Sequence, residues 1–249
     1  MTFSREMIQE LLAKSKEQRL GLMEAYAKLP HTHCRRQTYC CSLLPEMNLL
    51  EALSAVHQLL EMKPEQRLWL SRRLIRYFFL NPVAILSCPF LESRSCLIYH
   101  ERFFGCRAYG LWSKTHYQEK GERSRKTKTL SQRAWQRLRV SLPQEVVDFS
   151  SDYCPYVELE GDTLVDDEFL LQTFERIEVI SEQLFPWHDK FHQEYFSDLS
   201  FLLSAIPLGL QRAVELKFKV VCHVLITGDK ERVDQVVDSL DDFLADLIV

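Results

Sequence analysis

Apolar residues recur at three- and four-residue intervals through most of the chain, and this spacing predicts a succession of amphipathic helices. Ser4 is placed to cap a first helix whose apolar face is Met7, Ile8, Leu11 and Leu12. A second periodic stretch runs from Gln18 through Leu22, Met23, Tyr26 and Ala27 to a stop at Pro30. From Pro45, the positions Met47, Leu49, Leu50, Leu53, Val56, Leu59 and Leu60 predict a third helix. Lys63-Pro64-Glu65 punctuates the chain before a fourth, because proline suits a first helical turn. That fourth helix carries Leu68, Trp69, Leu70, Leu74, Ile75, Tyr77 and Phe78 up to Asn81-Pro82.

The period then breaks. Residues 88–99 read as irregular chain with one short strand or turn, and Ser113 to Thr129, polar and interrupted by Gly121, is expected to be a mobile loop or linker. Helix is expected to resume at Leu130 with Ala134, Trp135 and Leu138. After Pro143 comes a loop holding Cys154-Pro155 and the acids from Glu158 to Asp162. Helical periods return over 168–185, 187–206, 209–226 and 230–248. The last is expected to begin at Thr227 or Asp229 and to bury Val233, Val236, Val237, Leu240, Phe243, Leu244 and Leu247. Glycine is scarce, so the fold class expected is mainly α, a helical scaffold with an irregular cysteine-rich metal- or cluster-binding region. Three segments follow: a cysteine-cluster region with a helical hairpin over 1–112, a basic linker and helix over 113–143, and an acidic helical region over 144–249 packed on the first.

Composition narrows the function. With 249 residues and 46% hydrophobic side chains, a core forms without disulfides. The net charge of −4 hides an asymmetry: residues 114–139 hold nine basic and two acidic side chains, residues 144–249 seven basic and 23 acidic. Either segment offers a surface for a protein partner, and pairing between them or plain solvation are the alternatives. Trp135 between Arg133 and Arg137 suits a helix face better than nucleic acid, given the overall acidity. Met1 to Gln18 lacks the apolar centre of a secretory signal, and no uncharged stretch of about 18 residues exists, so a cytoplasmic protein with no membrane span is expected. No glycine-rich phosphate loop, dinucleotide fingerprint or nucleophile elbow is present, which disfavours a Rossmann-type methyltransferase, a kinase or an α/β-hydrolase. The acids Glu158, Glu160, Asp162, Asp166, Asp167 and Glu168 lack the spacing of a calcium loop and read as a helix N-terminus.

The cysteines carry the chemistry. Six of the eight lie in two groups, Cys34, Cys40 and Cys41, then Cys88, Cys96 and Cys106. Thiolates cluster when they must share a soft metal ion or an iron–sulfur cluster, and a reducing compartment favours that use over bridges. Two predicted helices separate the groups, and an antiparallel hairpin would bring both to one end. Adjacent Cys40 and Cys41 point apart in extended chain, so one is expected to ligate and the other to serve a neighbouring iron or the core. Cys154, followed by proline, is either a further ligand or a structural thiol. His31 and His33 flank the first group as nitrogen ligands or as outer partners of one, whereas Cys222, inside the apolar run 220–226, is expected to pack as a small hydrophobe. The absence of Cys-x-x-Cys hooks tilts the expectation toward an iron–sulfur cluster, [4Fe–4S] by preference, with zinc the alternative.

The run Cys88-Pro89-Phe90-Leu91, then Cys96-Leu97-Ile98-Tyr99, Arg102, Cys106-Arg107 and Tyr109 resembles the second half of the YkgJ-type cysteine-cluster family, a zinc- or iron-chelating CxxCxxCC domain that includes the flagellin lysine N-methylases. Cys34, Gln37, Cys40 and Cys41 match its first half, with Gln37 where a cysteine is usual and Arg102-Phe103 where Arg-Pro is usual. The resemblance spans residues 30–112 and implies a bound metal centre without a settled reaction. Three functions are expected in order: a metal- or cluster-binding protein with a redox, sensing or metal-handling role; an S-adenosylmethionine-dependent protein lysine methyltransferase; and an interaction module clipped by zinc.

Overall fold

The computed structural model describes residues 2–160 and 165–246, with the side chains of Cys34, Asp242, Ala245 and Asp246 outside that description, and it is mainly helical. The chain opens with α1 (Arg5–Lys14) and α2 (Lys16–Ala27), and Ser4 caps α1 by accepting from the Met7 amide at 3.3 Å. Met23 and Ala27 face solvent on α2, where Leu22, Ala25 and Tyr26 form the buried stripe. A short strand β1 (Thr32–Cys34) and a 3-10 turn over Tyr39–Cys41 lead to α3 (Leu49–Glu61). Asn48 starts α3 with a reciprocal cap. Its side chain accepts from the Glu51 amide at 2.9 Å while the Glu51 carboxylate accepts from the Asn48 amide at 3.3 Å.

Pro64 opens α4 (Pro64–Leu80), the centre of the molecule. The hairpin β2 (Leu91–Glu92) and β3 (Ser95–Cys96), a 3-10 turn over Tyr99–Glu101 and α5 (Phe104–Arg107) follow. Next come α6 (Lys114–Arg137), α7 (Gln144–Asp148) and β4 (Val157–Leu159). The C-terminal part consists of α8 (Asp167–Glu182), α9 (Trp187–Tyr195), α10 (Leu199–Leu208), α11 (Leu210–Thr227), α12 (Glu231–Asp238) and α13 (Asp241–Asp246).

One face of α4 packs on α10 and α11 and another on α12 and α13, while α3 touches α1, α2, α8 and α9. Phe78 stacks on Phe201 with ring centres 4.8 Å apart, and Phe3 meets Trp187 and Tyr195. Most of α10 is buried, Leu199 and Leu202 completely, so its uniformly apolar sequence belongs to the core. Among the described residues no single helix is long and apolar enough to cross a membrane, and the apolar pair α10–α11 is bent by 109°.

The expected loop over Ser113–Thr129 is helical. Those residues and the helix expected from Leu130 form one rod, α6, with none of its residues buried. Lysine, arginine, glutamine and glutamate propagate a helix well, and charge alone does not make a loop. Ser113 caps the rod and is held by Asp167, donating its amide at 2.7 Å, while Trp135 stacks on Phe218 of α11. The helix expected over 187–206 is broken at Phe196-Ser197, both with positive φ, and Asp198 restarts it by capping α10. The helix expected over 230–248 is divided between α12 and α13, and Leu247 lies outside the described residues. The acids of α12 and α13 face α4: Arg72 pairs with Asp238 and Asp241, and Arg76 with Asp234. Of the acidic cluster, Asp166 caps α8 with Asp167 and Glu168 in its first turn, Glu158 and Glu160 belong to β4 and its end, and Asp162 is outside the described residues.

Candidate metal centre

Two side chains of α4 and one of α3 hold the cysteine-bearing loops in place. The Tyr77 hydroxyl accepts from the Leu44 amide at 3.0 Å in the first loop, and Arg73 donates to the Leu91 carbonyl at 2.9 Å in the second. Glu51 of α3 accepts from the Phe104 amide at 2.6 Å, fixing the start of α5 and with it Cys106. The loops also bond to each other directly, through the Cys88 amide donating to the Cys41 carbonyl at 2.8 Å. A third segment closes from the side: β1 pairs antiparallel with β4, setting Cys34 opposite Val157, Ser42 bonds Ser151 at 2.7 Å, and Tyr39 stacks on Tyr156.

These contacts bring the segment of Cys40 and Cys41 against that of Cys88, and Cys40 and Cys106 share one pocket wall. Cys40, Cys88 and Cys96 each raise the pKa of Cys106, and Cys88 and Cys106 raise that of Cys41. Burial is the largest cause at Cys106, Cys96 and Cys88, the last pushed up to about 12. Cys40 moves the other way, its pKa lowered chiefly by its hydrogen bond with the Cys41 thiol, with the Arg102 guanidinium adding positive charge. The two sulfurs are 3.7 Å apart. The expectation that they diverge fails because residues 39–41 form a 3-10 turn rather than extended chain, so consecutive side chains do not alternate.

Cys40, Cys106 and Cys154 line one shallow pocket with Gln37, Arg102, Arg107 and Tyr109. Arg107 lies over the Tyr26 ring and Arg102 over Tyr99, and Arg102 Nε is buried with no hydrogen-bond acceptor. Gly110 makes room for the Cys154 segment: its φ is +82°, and a Cβ there would stand 2.5 Å from Val157 Cγ2 and 3.0 Å from the Cys154 carbonyl. Gly110→Ala is therefore expected to cost about 2–4 kcal/mol, from left-handed backbone strain and overpacking together. Urea denaturation reads it, and a change under about 0.5 kcal/mol, the scale of a neutral surface substitution, would contradict the close approach.

The Cys34 side chain lies outside the described residues. His33 faces Glu160 instead of the thiols, Nε2 to Oε1 at 3.2 Å. Cys222 sits half-buried on α11 beside the fully buried Val220 and Val221. None of the described cysteines is in a disulfide. Their sulfurs are neighbours rather than a closed cage: among the described residues, the trio of candidate ligand atoms all within 4.8 Å of one another is Glu178, His188 and His192. No protein-family model, curated protein or solved structure matches this chain.

Proposed function

We propose that the chain is a thiolate metal-binding protein in which Cys40, Cys41, Cys88, Cys96 and Cys106, with Cys154 at the rim, hold a soft metal centre for a redox, sensing or metal-handling role. One observation supports the reading: the two cysteine-bearing segments meet, the Cys88 amide donating to the Cys41 carbonyl at 2.8 Å, with the Cys40 and Cys41 sulfurs 3.7 Å apart and Cys40, Cys106 and Cys154 lining one pocket. Such a group ionises together only if a cation compensates it, and a bound metal does so while releasing the thiol protons. Neutral thiols packed as small hydrophobes would not need the guanidinium of Arg102, whose buried Nε lacks an acceptor that a negatively charged sulfur-rich centre would supply. The loops are also strained. Arg36, Thr38, Ser93 and Arg94 hold left-handed backbone without being glycine, a cost that concentrates at functional sites. The YkgJ-type resemblance points to the same thiols.

One quantity bears on the kind of centre. A single zinc ion about 2.3 Å from each sulfur sets thiolates about 3.8 Å apart, which Cys40 and Cys41 meet as a pair and the wider group does not. An iron–sulfur cluster would supply one-electron transfer, and zinc a structural clip. Anaerobic purification with elemental analysis separates them. Iron with acid-labile sulfide and broad visible absorbance supports the cluster, a colourless protein with stoichiometric zinc supports the clip, and a protein that takes up neither under reducing conditions overturns the reading.

A further inference from the structure

The geometry points to a second metal site, free of sulfur, in which His188 and His192 of α9 and Glu178 of α8 bind one divalent transition-metal ion of the zinc type. The histidines are four residues apart on one helix and so share a face. Both turn Nε2 toward the same carboxylate oxygen, Glu178 Oε2, at 3.9 Å for His188 and 3.8 Å for His192. These separations are too long for hydrogen bonds. They suit a shared ion, since two donors each about 2.1 Å from one metal stand between about 3.4 Å apart in a tetrahedron and about 4.2 Å apart in line.

The surrounding groups orient all three ligands. His188 Nδ1 bonds the Ser181 hydroxyl at 2.9 Å and His192 Nδ1 bonds the Ser197 hydroxyl at 2.6 Å. With the Nδ1 protons on those bonds, both Nε2 lone pairs face the carboxylate. Outer partners of this kind fix tautomer and ring orientation in histidine metal sites. Asn48 donates to the other oxygen, Glu178 Oε1, at 2.9 Å, leaving Oε2 to the centre. His192 Nε2 is buried with no hydrogen-bond partner, so a lone pair aimed at this point lacks a proton donor or ion to complete it. Two imidazoles and one carboxylate select a borderline first-row ion over magnesium or calcium, which take oxygen. Three protein ligands leave a fourth position for a further ligand on a tetrahedral ion. The ion would also tie α8, α9 and, through Asn48, the start of α3.

The site is independent of the thiols, and the test keeps them apart. The whole chain is stripped with a chelator under reducing conditions and titrated with cobalt(II), counting bound metal and recording absorbance. The His192→Ala variant, chosen because that side chain is half-exposed, is expected to lose one equivalent of cobalt relative to the native protein while the intense thiolate-to-cobalt bands persist. Cys106→Ser is expected to weaken those bands and retain the equivalent. Equal cobalt content in His192→Ala and the native protein would overturn the proposal. X-ray absorption at the zinc edge of the zinc-loaded native protein decides without any variant: a nitrogen or oxygen shell at about 2.0–2.1 Å is expected beside sulfur at about 2.3 Å, and sulfur alone refutes the site.

Discussion

Glu51→Ala will destabilise the protein by about 3–5 kcal/mol, the range for opening a buried network of charged hydrogen bonds. The Glu51 side chain is buried and accepts from the Tyr26 hydroxyl at 2.5 Å, the Phe104 amide at 2.6 Å and the Asn48 amide at 3.3 Å. Truncation leaves three buried donors without an acceptor and removes half of the α3 cap. For a chain of this length the melting temperature should fall by roughly 6–15 °C. The effect has a pH dependence of definite sign. Burial raises the Glu51 pKa, opposed by the hydrogen bonds from Phe104, Tyr26 and Asn48. The native state then holds that proton more tightly than the unfolded chain, so the group's contribution is full below the unfolded carboxyl value and is lost as pH rises through the native one. Urea unfolding of the native protein and Glu51→Gln from pH 4.5 upward tests it: the glutamine variant should gain relative to the native protein as pH rises. A constant difference would refute the shift. Because Glu51 also anchors the start of α5, Glu51→Ala should retain less metal even where the fold survives.

How much of this was legible depends on whether the cause is local. The stripes of α1, α3 and α4 are plain in the sequence because the leucines that repeat are the residues that become buried. The rod α6 was misread because its polarity resembles a loop, while the propensity of its lysines, arginines and glutamines is helical. The break at Phe196-Ser197 has no glycine or proline to announce it, and the pairing of β1 with β4 joins segments more than 120 residues apart. The two helices between the cysteine groups suggest that their segments meet, and the Cys88 amide does donate to the Cys41 carbonyl at 2.8 Å. The closeness of Cys40 to Cys41 was not legible in that way, since it depends on a single 3-10 turn. The cap that Glu51 forms with Asn48 is absent from the hydrophobic pattern, and its other role appears only when Tyr26 and Phe104 are brought to it. His188 and His192 have a visible helical spacing, but nothing in the sequence nominates Glu178 as their third member.

Cys106→Ser will strip the thiolate centre while leaving the metal-free fold nearly as stable as that of the native chain. Cys106 lines the pocket with Cys40, Arg102 and Cys154, and burial first, then Cys88, Cys40 and Cys96, raise its pKa. Serine keeps the size but not the chemistry: a hydroxyl does not ionise at neutral pH and binds soft metals poorly. Metal bound at the thiols should fall from stoichiometric to near zero, the equivalent proposed for Glu178, His188 and His192 being retained, and the stabilisation that thiolate binding adds should go with it. In the presence of a chelator the two proteins should converge, the variant remaining lower by about 1 kcal/mol for a half-buried hydroxyl in place of a thiol. Cys222→Ser serves as the contrast, because α11 carries that thiol beside Val220 and Val221 and not among the pocket-lining cysteines, and its metal content should equal that of the native protein. The argument turns on the difference between loaded and stripped proteins rather than on stability alone. A purely structural thiol would lower both equally, so equal losses with and without metal, or full metal content in Cys106→Ser, would return these cysteines to the role of core side chains.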